Sequence, residues 1–313
     1  MPTLPAPDRT GLLLGAGAYG LWGFLPLYFP LLTPAGSVEI IAHRVLWSLL
    51  FCVAVLVATG TWRTAVAVVR RGRVLATLAL AGVLVATNWL VFVVGVLSGH
   101  TVDAALGYYI NPLVTVGLAV LVLGERLRPA QWVALGIGAV AVVVLTVGVG
   151  RLPWIALTLA LTFGLYGLIK NRIGRTVPAL ASLAVETAVL APVALIYLAV
   201  LGSAGGFGTN GTWHALALAG TGVVTAVPLL MFGGAARRLP LSVVGMLQYL
   251  TPTLHFCLGL LVFHEEMPAI RWWGFGLVWL ALIVLTADTL RAGSPAFRRA
   301  RSGRVDQPAT VSQ

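Results

Sequence analysis

The chain has 313 residues, of which 59% are hydrophobic and only 9% charged, and its mean hydropathy is +0.98. A soluble domain carries roughly 25% charged residues to cover its surface, so soluble enzymes, disulfide-rich secreted domains, disordered chains and coiled coils are excluded. What is left is a polytopic membrane protein, and its formal net charge of +11 reads as topology-setting positive loops, with no nucleic acid as partner.

A hydrocarbon core about 30 Å thick takes about 20 apolar residues per helix. Ten such runs follow one another, at 10–32, 37–58, 74–97, 102–123, 129–148, 153–170, 178–201, 214–236, 241–263 and 270–290. None shows the short alternating pattern of a membrane barrel. The first run is too long for the apolar core of a signal peptide and a second span follows at once, so it is read as a retained span. Cys52 and Cys257 fall inside spans, which leaves neither a disulfide framework nor a zinc site. Short connections leave no room for a soluble domain. Residues 291–313, with Arg291, Pro295, Arg298, Arg299, Arg301 and Arg304, read as a disordered basic cytoplasmic tail, and residues 1–9 as a cytoplasmic N-terminus.

The loop cations set the orientation. With the N-terminus cytoplasmic, the inner side holds Arg9, Arg63, Arg70, Arg71, Arg73, Arg126, Arg128, Lys170, Arg172, Arg175, Arg237 and Arg238, while the outer side holds only Arg151 and Arg271. Positive charge concentrates on the cytoplasmic side of cell-membrane proteins. Both termini are therefore expected inside.

Residues 82–136 align without gaps on 222–276 at a constant offset of 140, placing Tyr109 on Tyr249, Pro112 on Pro252, Glu125 on Glu265 and Trp132 on Trp272. Upstream, Tyr19-Gly20-Leu21-Trp22-Gly23 matches Phe163-Gly164-Leu165-Tyr166-Gly167 at an offset of 144. A repeat of five spans, an odd number, turns its second copy upside down in the bilayer. The expected fold is thus an all-α membrane protein of ten transmembrane helices, two inverted five-helix repeats at 10–150 and 151–290. Inverted repeats rocking about a midplane site are the architecture of alternating-access carriers.

A charge in hydrocarbon needs a reason. Arg44 lies about 10 Å into the second span at 1.5 Å per residue, and Glu186 lies a similar distance into the seventh. An offset of 142 makes them pseudo-equivalent. Both are expected to face a central site, as substrate ligand, ion pair or proton-coupling carboxyl, since leaving water disfavours a charged carboxylate. Glu39 and His43 share a helix face four residues apart; Glu39 is expected solvated at the outer interface, and His43 is a candidate site residue.

Pro112 and Pro252 are expected to bend or break the fourth and ninth spans. Freed carbonyls there, with Tyr109, Asn111, Gln248, Tyr249 and Thr251 nearby, offer uncharged hydrogen-bonding groups. Pro192 and Pro228 are further expected kinks, and Asn88 and His255 further polar candidates. Gly15, Gly17, Gly20 and Gly23 read as a close-packing face, and Trp22 and Tyr166 beside such glycines as aromatic surfaces for an amphiphilic substrate. Trp272 and Trp273 read as interfacial anchors, and Glu125, Glu265 and Asp103 as turn or helix-start charges. No phosphate-binding loop, His-Glu-x-x-His or Gly-x-Ser-x-Gly pattern occurs. Neither an enzyme, a metal site nor a cofactor is expected.

Several stretches carry a family resemblance: Ala42-His43-Arg44-Val45-Leu46-Trp47-Ser48, Asn88-Trp89-Leu90, Leu106-Gly107-Tyr108-Tyr109-Ile110-Asn111-Pro112, Leu123-Gly124-Glu125-Arg126, Val224-Thr225-Ala226-Val227-Pro228 and Gln248-Tyr249-Leu250-Thr251-Pro252. The chain resembles the drug/metabolite transporter superfamily, and within it the EamA-type permeases of the RarD (chloramphenicol-sensitive protein) group. The resemblance implies a ten-helix inner-membrane carrier exporting a small metabolite or amphiphilic drug. Protons are the candidate coupling partner and a homodimer the candidate assembly. A passive channel or lipid scramblase, and a transport-inactive scaffold or receptor, are the rival readings.

Overall fold

Within a bilayer the backbone has no water to bond, so each apolar run closes its own hydrogen bonds as a helix. The computed structural model describes residues 8–293 apart from Glu125, Arg175 and Pro240. The roles expected of Glu125, Arg175, residues 1–7 and the basic tail beyond 293 lie outside the described residues. The helices are α1 (Arg9–Gly23), α2 (Leu25–Tyr28), α3 (Ser37–Ala58), α4 (Trp62–Val69), α5 (Gly72–Leu97), α6 (Thr101–Leu123), α7 (Pro129–Val149), α8 (Trp154–Ile173), α9 (Ala179–Leu201), α10 (Gly211–Ala236), α11 (Leu241–Leu247), α12 (Leu250–Leu261) and α13 (Ala269–Gly293). No strand occurs among the described residues. Among the described residues, nine spans are long and apolar enough to cross a membrane, and ten when α1 is joined to Leu25–Leu32 across a 44° bend.

Proline acts differently from expectation. Helix α6 continues through Pro112, α9 through Pro192 and α10 through Pro228, so no break forms at Pro112, and the helices holding Pro192 and Pro228 run on unbroken. Each proline withholds one N–H, and the intact ladder on either side carries the helix across it. The ninth span does break, but ahead of Pro252: α11 ends at Leu247, Gln248 and Tyr249 form a turn, and Pro252 sits in the first turn of α12. There a backbone N–H has no intrahelical partner to lose. Helix α2 uses Pro26 in the same way after the bend at Phe24. The connection between α3 and α5 also holds the eight-residue α4, which seats Val68 against Leu78, Val177, Ala181 and Val185.

Two compact units divide the chain. The first comprises residues up to Thr115 together with Pro153–Met267. At its centre α3 and α9 run antiparallel: Cys52 and Leu56 meet Leu183 and Ala184, while Ile41 and Val45 share a cluster with Leu190 and Ala194. Helix α5 packs on α8 and α9, and α10 packs on α1 and α3. Glycine sets how closely these helices approach. A Cβ on Gly82 of α5 would lie 3.0 Å from the Glu186 carbonyl of α9, and one on Gly222 of α10 would lie 2.4 Å from the Trp47 carbonyl of α3. Gly82 and Gly222 are repeat-equivalent, so the same device joins each half to the other. Gly15, Gly17 and Gly23 receive Leu247, Met231 and Leu254, whereas nothing lies within 4 Å of a Cβ on Gly20.

The second unit comprises Val116–Leu152 and the chain from Pro268. Ile270 fits over Gly148 at one end, and Arg128 grips Asp288 with Nη2 at 2.6 Å and Nε at 2.7 Å at the other. Helices α7 and α13 are therefore antiparallel too, as the last helices of two inverted repeats must be.

Gly222→Ala forces the α3 and α10 backbones apart and is expected to cost roughly 1–3 kcal/mol. Gly20→Ala fills open space and gains helix propensity of up to about 1 kcal/mol. Thermal melts of the detergent-purified protein should show the first lowering the Tm by several degrees and the second leaving it unchanged or higher.

Candidate functional site

Arg44 sits seven residues beyond Ser37, on the face of α3 turned toward α5 and α10, and is 4% exposed. Its Nε donates to the Thr225 hydroxyl at 2.8 Å, which in turn donates to the Thr221 carbonyl at 2.7 Å. The guanidinium carbon lies 4.2 Å from the centre of the Trp89 ring and 5.9 Å from that of Phe29. Such cation–π contacts stabilise a desolvated guanidinium by about 2 kcal/mol. Nη1 is buried without a hydrogen-bond partner.

Next to this cation lies a neutral, bonded core. Asn88 donates to the Leu159 carbonyl and the Thr162 hydroxyl, both at 3.0 Å, and accepts from the Tyr108 hydroxyl at 3.0 Å. These bonds fix the Tyr108 ring between Phe92 and Phe163, with centroids 5.7 and 5.9 Å away. Phe92 stacks on His255 at 4.9 Å. His255 Nε2 faces the Trp22 carbonyl at 3.0 Å, and its Nδ1 is buried without a partner. Because Nε2 faces an acceptor it carries the ring proton, which leaves Nδ1 as a bare acceptor. Trp22 itself packs against Tyr19 and Phe232.

Glu186 belongs to a different cluster, nearer the start of α9. Its Oε1 accepts from Lys170 Nζ and Ser182 Oγ, both at 2.7 Å, and its Oε2 from the Tyr166 hydroxyl at 3.1 Å. Of the roles left open for them, Arg44 and Glu186 do not form an ion pair with one another; each has its own partners. Lys170, counted among the inner loop cations, instead turns its ammonium onto this carboxylate.

Glu39 is buried as well, against the expectation of a solvated anchor. Its Oε1 accepts from the Gly206 amide at 2.6 Å, so the loop after α9 folds over the start of α3. His43 stacks on Phe207 of that loop at 4.9 Å, with Nε2 4.0 Å from Glu39, and so serves the loop rather than the Arg44 cluster. His214 bonds the Gly206 and Leu32 carbonyls at 3.1 and 2.8 Å. Tyr109 bonds Thr253 at 2.8 Å, Thr251 bonds the Tyr19 carbonyl at 2.8 Å, and Asn111 Oδ1 is buried without a partner. Gln248 and Tyr249 are half-buried in the turn between α11 and α12. Glu265 caps a helix, but not the one that follows it: its carboxylate accepts from the Thr101 and Val102 amides at the start of α6, at 2.5 and 2.9 Å. Trp272 and Trp273 are exposed.

Trp89, Tyr108, Thr225 and Lys170 take part in these clusters without having been singled out in the sequence. Trp89 and Tyr108 adjoin the candidates Asn88 and Tyr109, but an aromatic in a hydrophobic span carries no mark of its contacts.

The EamA-like transporter family matches this chain twice, over residues 9–147 and 152–287. A protein RarD of Streptomyces exfoliatus is 52% identical over 297 residues, covering 94% of this chain and 92% of its own. A Pseudomonas aeruginosa protein described as an uncharacterized transporter is 43% identical, covering 91% and 95%. One solved crystal structure, 20% identical, covers 92% of this chain and 100% of its own with a TM-score of 0.59, a likeness of fold alone.

The Asn88–Tyr108 bond can be measured by a double-mutant cycle. Asn88→Ala leaves the Tyr108 hydroxyl unsatisfied and is expected to cost about 1–3 kcal/mol, and Tyr108→Phe less. The two changes should couple by about 1 kcal/mol in denaturation of the purified protein.

Proposed function

The chain belongs to the EamA-like transporter family, and from that premise we propose that it is a secondary transporter that carries a small organic molecule across the cell membrane by alternating access. The observation that supports this reading is the convergence of buried polar and aromatic groups from both repeats. Arg44, Asn88, Trp89 and Tyr108 come from the first repeat, and Thr162, Thr225 and His255 from the second. Groups held in place across the two halves change their neighbours when the halves rock, and that is how such a carrier switches the side to which its site opens.

Glu186 carries the proton coupling in this reading. It is 0% exposed and its Lys170 partner is less shielded, with 23% of that side chain exposed. In this reading the ion pair between Lys170 and Glu186 opens as the halves rock, and a proton takes the place of the ammonium on the carboxylate. The bias of arginine toward alternate loops supports a topology with both termini in the cytoplasm. A chain with this division of labour works as a carrier rather than as an open pore or an inert scaffold.

Proteoliposomes test this. Uptake of a metabolite panel should saturate and be driven uphill by an imposed pH gradient. Glu186→Gln, and the neutral double variant Glu186→Gln with Lys170→Gln, should abolish gradient-driven accumulation and retain exchange counterflow. Wild-type pH dependence in both variants would contradict the coupling role; flux that never saturates would make the protein a channel.

A further inference from the structure

Arg44 is a buried cation to which the described residues supply no counter-charge. No carboxylate lies within 4.0 Å of it among the described residues, and the nearby acids are engaged elsewhere: Glu186 with Lys170, Glu39 with Gly206 and His43, Glu265 with the start of α6. An arginine that merely snorkels would carry its head to the interface, but this one is 4% exposed. An arginine kept for structure alone would spend its nitrogens on acids or carbonyls. Here Nε goes to a threonine hydroxyl and Nη1 goes to nothing.

We propose that Arg44 binds the carboxylate of the transported molecule, and that the substrate class is a small organic monoanion with a flat apolar body. This rests on the transporter reading above and narrows it to a chemical class. The Trp89 ring lies 4.2 Å from the guanidinium carbon, and the unpartnered Nη1 offers N–H groups of the kind that pair with carboxylate oxygens. Phe29 stands beside the cation and Phe92 joins its ring to that of Tyr108, giving aromatic surface on which an apolar body packs. His255 Nδ1, buried without a partner beside Phe92, is an acceptor for a hydroxyl or N–H on that body. A single guanidinium neutralises one charge. A phosphate dianion calls for a second cation, and the ammonium of Lys170 is bound to Glu186. Arg44 also gains from the ligand: a buried charge costs least when paired and hydrogen-bonded.

The test titrates the purified full-length protein with benzoate, phenylacetate and indole-3-acetate, each beside its neutral amide, and with inorganic phosphate, reading tryptophan fluorescence. At least one acid should quench saturably while its amide binds on the order of 30-fold more weakly. Arg44→Gln should lose that preference, and Arg44→Lys should keep part of it. Gel filtration and a cooperative melt establish that each variant is folded. Amides bound as tightly as acids, unchanged acid binding in folded Arg44→Gln, tighter binding of phosphate than of every carboxylate, or no acid bound at all would overturn the proposal. Saturable transport of a neutral solute by Arg44→Gln would overturn the anion assignment and leave the carrier standing. Acid binding at Arg44 with no flux of any solute would do the reverse.

Discussion

A guanidinium placed in hydrocarbon costs at least about 2.5–3.5 kcal/mol, and the arrangement around Arg44 follows from the need to offset that. Trp89 from α5 and Phe29 lie against it as aromatic rings, and Thr225 from α10 takes one nitrogen. Two helices can converge on α3 so closely only where side chains are missing, and Gly222 supplies that gap on Trp47. Through Gly82 the same gap appears where α5 meets α9. The residue that is expensive to bury and the glycines that let helices crowd it are thus two parts of one solution.

The repeat symmetry is kept in the scaffold and broken in the chemistry. Equivalent helices pair antiparallel, α3 with α9 in one unit and α7 with α13 in the other. Equivalent positions carry Arg44 and Glu186, opposite charges resolved in opposite ways. Glu186 is satisfied within the chain by Lys170, Ser182 and Tyr166; Arg44 is left with a nitrogen open. One half therefore holds a closed ion pair and the other an unmet charge, and under the proposed mechanism these are the coupling element and the binding element.

Much of this is legible in the residues. The spans follow from the length of apolar runs, because hydrocarbon permits little besides helices, and the fold agrees to within a few residues. Arg44 and Glu186 stand out because intramembrane charge is scarce. Partners are harder to read. Lys170 looks like one more inner cation until α8 places it over α9, and Glu39 looks solvated until a loop 167 residues later covers it. Both depend on long-range packing that no local pattern encodes. The prolines mislead for a related reason, since propensity marks a helix breaker while neighbouring helices decide whether it breaks. Trp89 and Tyr108 are aromatics among many in apolar spans: what distinguishes them is a neighbour, Arg44 for one and Asn88 for the other.

The central claim is that the Arg44 cluster opens to each side of the membrane in turn. Ser48, one helical turn from Arg44 and fully buried, is the place to measure it. Ser48→Cys would be built in a chain freed of its two thiols by Cys52→Ala and Cys257→Ala, and treated with a membrane-impermeant thiol reagent from either face of sealed, oriented vesicles. The account predicts labelling from both faces, with an imposed gradient shifting reactivity from one to the other. Labelling from one face alone under every gradient, or from neither, would contradict it.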